Sequence, residues 1–133
     1  MSRKRIINAV LFYWFPFVGY LSLIFYLSHH SDPTSQIPLN VNDKLLHGTE
    51  FFILEVLAVR AFCGHVRDAL ARHRFFIGAT LFSFVYAVSD EFHQFFVPGR
   101  IASGTDLLAD ITGICIAAGM MKLLYSTAER TMP

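Results

Sequence analysis

Charge is scarce in this chain, and where it occurs it is gathered. Only 16% of the 133 residues are Asp, Glu, Lys or Arg, and the segment from Ile6 to Leu27 has none. Catalytic punctuation is scarce too. No phosphate-cradling glycine-rich loop, H-E-x-x-H, G-x-S-x-G or Cys-His arrangement is present, so no motif specifies a reaction type. The two cysteines, Cys63 and Cys115, are too few and too badly placed for a disulfide framework and read as small apolar packing residues. A formal net charge of +1 offers no basic stripe of the kind that binds nucleic acid.

What the chain has in abundance is apolar surface. Hydrophobic residues make up 54%, with 14 Phe and a mean hydropathy of +0.47, far above a soluble domain of this size. The length suits a single domain, residues 1–133, and the composition places it in a bilayer. Crossing the hydrocarbon core takes about 20 apolar residues. The uncharged run from Ile6 meets that length, whereas a signal peptide would carry an apolar region of only about 7 to 15 residues before a small-residue cleavage site. Ser28-His29-His30 is a poor cleavage context. Further runs follow, and lipid leaves helices as the way for isolated segments to satisfy their backbone polar groups. The expectation is an all-α bundle of four transmembrane helices, with spans near 6–27, 45–60, 75–91 and 106–125.

The charge bias orients this bundle. Nine Lys and Arg fall in three segments: Arg3, Lys4 and Arg5; Arg60, Arg67, Arg72 and Arg74; and Lys122 with Arg130. Basic loops stay in the cytoplasm, so both termini and the Arg60–Arg74 connection are expected inside. Two loops then face outward, His29–Asn42 and Glu91–Thr105, broken by Pro33 and Pro38 and by Pro98-Gly99.

The remaining polarity lies in three neighbourhoods, all at that outer level. These are Asp43-Lys44-x-x-His47-x-x-Glu50, Asp90-Glu91-x-His93-Gln94, and Arg100-x-x-Ser103-x-x-Asp106-x-x-x-Asp110. At about 100° per residue, Asp43, His47 and Glu50 share one stripe of the second helix, and Ser83, Tyr86, Asp90 and Gln94 one stripe of the third. On that count Glu91 turns aside and Glu55 has no assigned place. On the fourth helix Ser103, Asp106 and Asp110 align, and Ala109-x-x-x-Gly113-x-x-x-Ala117 makes a small-residue seam for close helix approach. Arg100 is placed to fold back over the carboxylates. Ionisable groups at membrane depth are costly and mark sites by default, although each one singly reads as a structural ion pair. An excess of buried carboxylates requires protons or a cation. His29 and His30 fall in the first outer loop and are expected to be solvated.

These motifs carry a family resemblance. Asp43-Lys44-Leu45-Leu46-His47 resembles the D-K-x-x-H signature of the VanZ-like family. Asp90-Glu91-Phe92-His93-Gln94-Phe95-Phe96-Val97-Pro98-Gly99-Arg100-Ile101-Ala102-Ser103-Gly104-Thr105-Asp106 is similar to its second signature, D-E-x-x-Q-x-F-x-P-G-R-x-x-S-x-x-D. Asp110 departs from the pattern, standing where many members carry Asn. The resemblance covers essentially the whole chain and implies a small four-span protein of the bacterial inner (plasma) membrane, set in cell-envelope chemistry and linked through the family's name to teicoplanin and glycopeptide antibiotic resistance.

Two functions remain open at this stage. In the first, an enzyme acts on an envelope lipid or lipid-linked headgroup. His47 is then the general acid or base, Asp43, Asp90 and Asp106 join it in catalysis, and Lys44, Glu50, Glu91, Gln94, Arg100, Ser103 and Asp110 hold the substrate. No cofactor is certain; a divalent cation, Mg, Ca or Mn, would suit oxygen ligands from Asp90, Glu91 and Asp106 with His47 beside them. In the second, the protein is a non-catalytic binder or scaffold whose cluster is a structural ion-pair network. Expected partners are membrane lipids, with a lipid-linked cell-wall precursor or a glycopeptide as the ligand class, and no nucleic acid.

Overall fold

A computed structural model describes residues 7–30, 40–66, 68–100 and 102–131, with 40–43 and 129–131 described by backbone alone. Among these residues all regular structure is helical. The first helix, α1 (Ile7–His29), contains a π-helical stretch over Val10–Trp14. Its cause lies at Pro16, which has no N–H to return to the helix. The Phe15 N–H closes instead on the Val10 carbonyl, five residues back, and the turn widens. The second helix, α2, spans Asn40–Cys63, α3 spans Ala69–Gln94 and α4 spans Gly104–Thr131.

Local signals set the inner boundaries. The Asp68 carboxylate accepts the Ala71 N–H at 2.7 Å and caps α3. Ser103 does the same for α4, its hydroxyl accepting the Thr105 N–H at 3.3 Å. Between α3 and α4 the chain turns at Pro98-Gly99, closed by the Arg100 N–H on the Val97 carbonyl at 3.1 Å. Gly99 sits at φ 86, which a side chain would resist. The helices outrun the apolar cores expected from sequence, because hydropathy locates the middle of such a helix and caps locate its ends. Arg72, His73 and Arg74 therefore belong to α3, and the basic connection shortens to 64–68.

Three of the helices, over Ile7–His29, Ala69–Gln94 and Gly104–Ala128, are long and apolar enough to cross a membrane. Helix α2 is as long, with 24 residues, but carries Lys44, Glu50, Glu55 and Arg60 along its length. Its position explains how it keeps them. It packs most extensively against α4, next against α3, and also touches α1, so it is the helix the others surround. Phe51, Leu54, Ala58 and Val59 of α2 meet Ile114, Ala117 and Met121 of α4 in the core. Helices in lipid gain little from hydrophobicity against one another, so contact quality decides the packing. The seam expected along α4 provides it: a Cβ added at Gly113 would overlap the Gly48 carbonyl, and one at Gly48 would lie 3.2 Å from the Ala109 carbonyl. Phe12, Phe15, Leu81, Val85, Leu108, Ile116 and Leu123 point outward, a surface suited to acyl chains rather than water.

Helix α1 is held more lightly. Phe17 packs edge-on against Phe62 and Phe82, and two tyrosines donate across helices, Tyr86 to the Leu21 carbonyl at 2.8 Å and Tyr20 to the Glu50 carbonyl at 3.3 Å.

Candidate functional site

The polar neighbourhoods do converge, at the end of the bundle where α2 begins, α3 ends and α4 begins. His47, Asp90, Glu91, Gln94, Asp106 and Asp110 are all buried there, Asp110 completely. The spacing explains the α4 pair, since residues four apart on a helix lie one above the other on the same face. Lys44 forms an ion pair with Asp106, and the His47 Nδ1 lies 3.3 Å from an Asp110 oxygen. On α3 the Gln94 amide donates to Asp90 at 2.8 Å, one turn away. Glu50, half-buried on α2, faces the charges of Asp90, His47 and Asp110.

Several expectations about individual residues change. Glu91, turned aside on the helical count, is buried, and its Oε2 accepts the Ser103 N–H at 3.0 Å. The chain entering α4 folds back over the end of α3 and covers Glu91, while Phe92 on the same turn stays exposed. Ser103 is engaged in the α4 cap and in a hydroxyl contact with Thr105 at 2.7 Å. Arg100 turns to the end of α1, donating to the Leu27 carbonyl at 2.7 Å and the His30 carbonyl at 3.2 Å. It satisfies carbonyls that a helix C-terminus leaves open, while remaining within electrostatic reach of Glu50. His93 faces away from the carboxylates, its Nε2 3.3 Å from His29 Nδ1. The His30 Nδ1 bonds the Tyr26 carbonyl at 2.7 Å, and both His29 and His30 are exposed, as expected. The Asp43 side chain lies outside the described residues.

Glu55 is the polar residue that sequence reasoning left unplaced. It is wholly buried in α2, away from the cluster, and accepts a hydrogen bond from Thr80 at 2.6 Å with the Ser83 hydroxyl beside it. Its signal in the sequence was the Thr80-x-x-Ser83 pair on the facing helix, legible only once the two helices are known to pack.

One constellation inside the cluster has ligand chemistry. His47, Glu91 and Asp110 each offer a donor atom, all within 4.8 Å of one another, from three different helices. Glu91 Oε1 and Asp110 Oδ2 are buried, with no hydrogen-bond partner among the described residues. A buried carboxylate oxygen without a donor is costly, so these two aim into a place suited to a cation or a proton. Asp90 and Asp106 do not complete that set, since each faces its own partner, Gln94 and Lys44.

Apolar helices wrapped around a buried acid-rich centre define the class: a helical membrane protein with its polar chemistry gathered at one end. The chain belongs to the VanZ/LLP1 family, whose model matches residues 1–125. No curated protein and no solved structure matches it.

Proposed function

We propose that this VanZ/LLP1 protein crosses the membrane four times and uses its acid-rich end, facing out of the cell, to engage the phosphate of an envelope lipid or lipid-linked headgroup through a divalent cation. The observation that carries this reading is the pair of buried, unpartnered oxygens of Glu91 and Asp110 beside His47. One imidazole with two carboxylates suits manganese better than magnesium or calcium, both of which favour an all-oxygen shell. The cation also answers the question of what would meet an anion. Lys44 faces Asp106 and Arg100 faces backbone carbonyls, so a bound phosphate would find its counter-charge in the metal. As a ligand His47 would hold the cation rather than pass a proton, because its ring lone pair would be committed to the metal.

Melting of the purified protein in neutral detergent tests this reading. Added manganese should raise the melting temperature of chelator-treated protein, since a ligand at about 100 times its Kd stabilises by about 2.7 kcal/mol. His47→Ala and Asp110→Asn should each abolish the shift. An unchanged melting temperature in manganese, magnesium and calcium would sink the metal reading. Orientation has its own check, with Cys63 and Cys115 replaced by Ala: a cysteine at Ser35 should react with an impermeant thiol reagent, and one at Leu70 should not. The family's link to glycopeptides enters here as well, and loss of the protein should then change teicoplanin susceptibility.

A second reading has its own support. Lys44–Asp106, Gln94–Asp90 and the Ser103 N–H on Glu91 are the contacts of a structural network that locks three helices, with no ligand. On that reading Asp110→Asn weakens the fold and metal changes nothing.

A further inference from the structure

The opposite end of the bundle holds a cavity that none of this chemistry uses. It has a volume of about 360 Å³ and opens between the first turns of α3 and the last turns of α4. Arg72, His73 and Lys122 line it, together with the Ser126 hydroxyl. Arg72 is placed over the Tyr125 ring, 5.8 Å from its centroid, which fixes the guanidinium at the wall of the cavity. His73 and Lys122 are exposed and can swing toward a ligand. The apolar side of the cavity is formed by Phe76 and Ile77, and exposed Leu81 continues from Ile77 one turn further along α3.

We infer that this cavity binds an anionic phospholipid, with the phosphate among Arg72, His73 and Lys122 and an acyl chain along Ile77 and Leu81. Charge complementarity selects the occupant: Arg72 and Lys122, with His73 beside them, line one cavity, and among the described residues no acid lines it. A lipid rather than a free anion is favoured because the cationic wall is continuous with the apolar surface that contacts bilayer chains. Basic pockets between helices at the cytoplasmic level bind acidic headgroups on this principle. The Lys and Arg bias puts this end in the cytoplasm, so the lipid comes from the inner leaflet. The inference is independent of the metal at the other end.

The test uses full-length protein in neutral detergent micelles doped with phosphatidylglycerol or phosphatidylcholine, with bound lipid counted by native mass spectrometry. Phosphatidylglycerol should be retained in preference to phosphatidylcholine. Lys122→Gln should reduce that retention about fivefold, the weight of one basic residue near a lipid surface, while exposed Arg74→Gln, outside the cavity, leaves it unchanged. Equal retention of the two lipids, or no loss in Lys122→Gln, overturns the proposal. So does displacement of phosphatidylglycerol by inorganic phosphate alone, which would identify a site for a free anion.

Discussion

At one end of the bundle His47, Asp90, Glu91, Asp106 and Asp110 are buried between three helices, whereas at the other Arg60, His73, Arg74 and Lys122 stand exposed around the helix ends. Both ends are rich in ionisable groups, but they use them differently. Exposed cations next to headgroups cost little and suit an interface. Buried carboxylates are expensive and persist only where partners, protons or a cation compensate them. That difference is why the proposed chemistry is placed at the acid end and the proposed lipid contact at the basic end.

The largest test of this contrast is mechanical. The acid end depends on the close approach of α2 and α4, so Gly113→Leu should destabilise by more than about 3 kcal/mol as the helices are forced apart. Gly119→Ala, where an added Cβ meets nothing within 4 Å, is the control and should be nearly neutral in the same melting experiment. Next in size is Arg100→Ala, which removes charged donors from the Leu27 and His30 carbonyls and should cost about 1–2 kcal/mol, discounted for its partial exposure. Faster hydrogen exchange in the last turn of α1 would report it.

A smaller effect of opposite sign sharpens the comparison most. In metal-free protein Asp110→Asn should stabilise by about 1 kcal/mol, because it removes one charge from a dry, acid-rich site while keeping a hydrogen-bonding group for His47. A loss of stability there would mean that the acid end is a structural lattice. The smallest expected effect is at the other end: without anionic lipid, Lys122→Gln should change stability by no more than about 0.5 kcal/mol. A large loss would show that the basic end, too, holds the fold together.

Much of this arrangement was readable in advance, for identifiable reasons. Spacing of four put Asp106 and Asp110 on one face, and the small residues at Ala109, Gly113 and Ala117 announced the seam that α2 occupies. The D-K-x-x-H and D-E-x-x-Q motifs pointed to the family that the whole-chain match supports. Periodicity failed at Glu91 because it describes one helix at a time. That residue is buried by the chain returning from Pro98-Gly99, a contact with no period. Arg100 failed for a related reason, since its partners are carbonyls about 70 residues earlier, exposed by the end of a helix rather than marked by a side chain. His93 likewise found its partner, His29, on another helix.

Composition and order alone determined that the chain forms apolar helices, that Asp90, Glu91, Asp106 and Asp110 lie near helix boundaries, and that Arg60, Arg72, Arg74 and Lys122 fall toward helix ends away from these acids, because these follow from hydropathy and periodicity along a single strand of sequence. Tertiary structure alone decided which acids have donors and which do not. Hydrogen bonding is a matter of a few tenths of an ångström between side chains from different helices. Packing α2 inside α1, α3 and α4 left Glu55 with Thr80, and brought oxygens of Glu91 and Asp110 within 4.8 Å of each other and of His47.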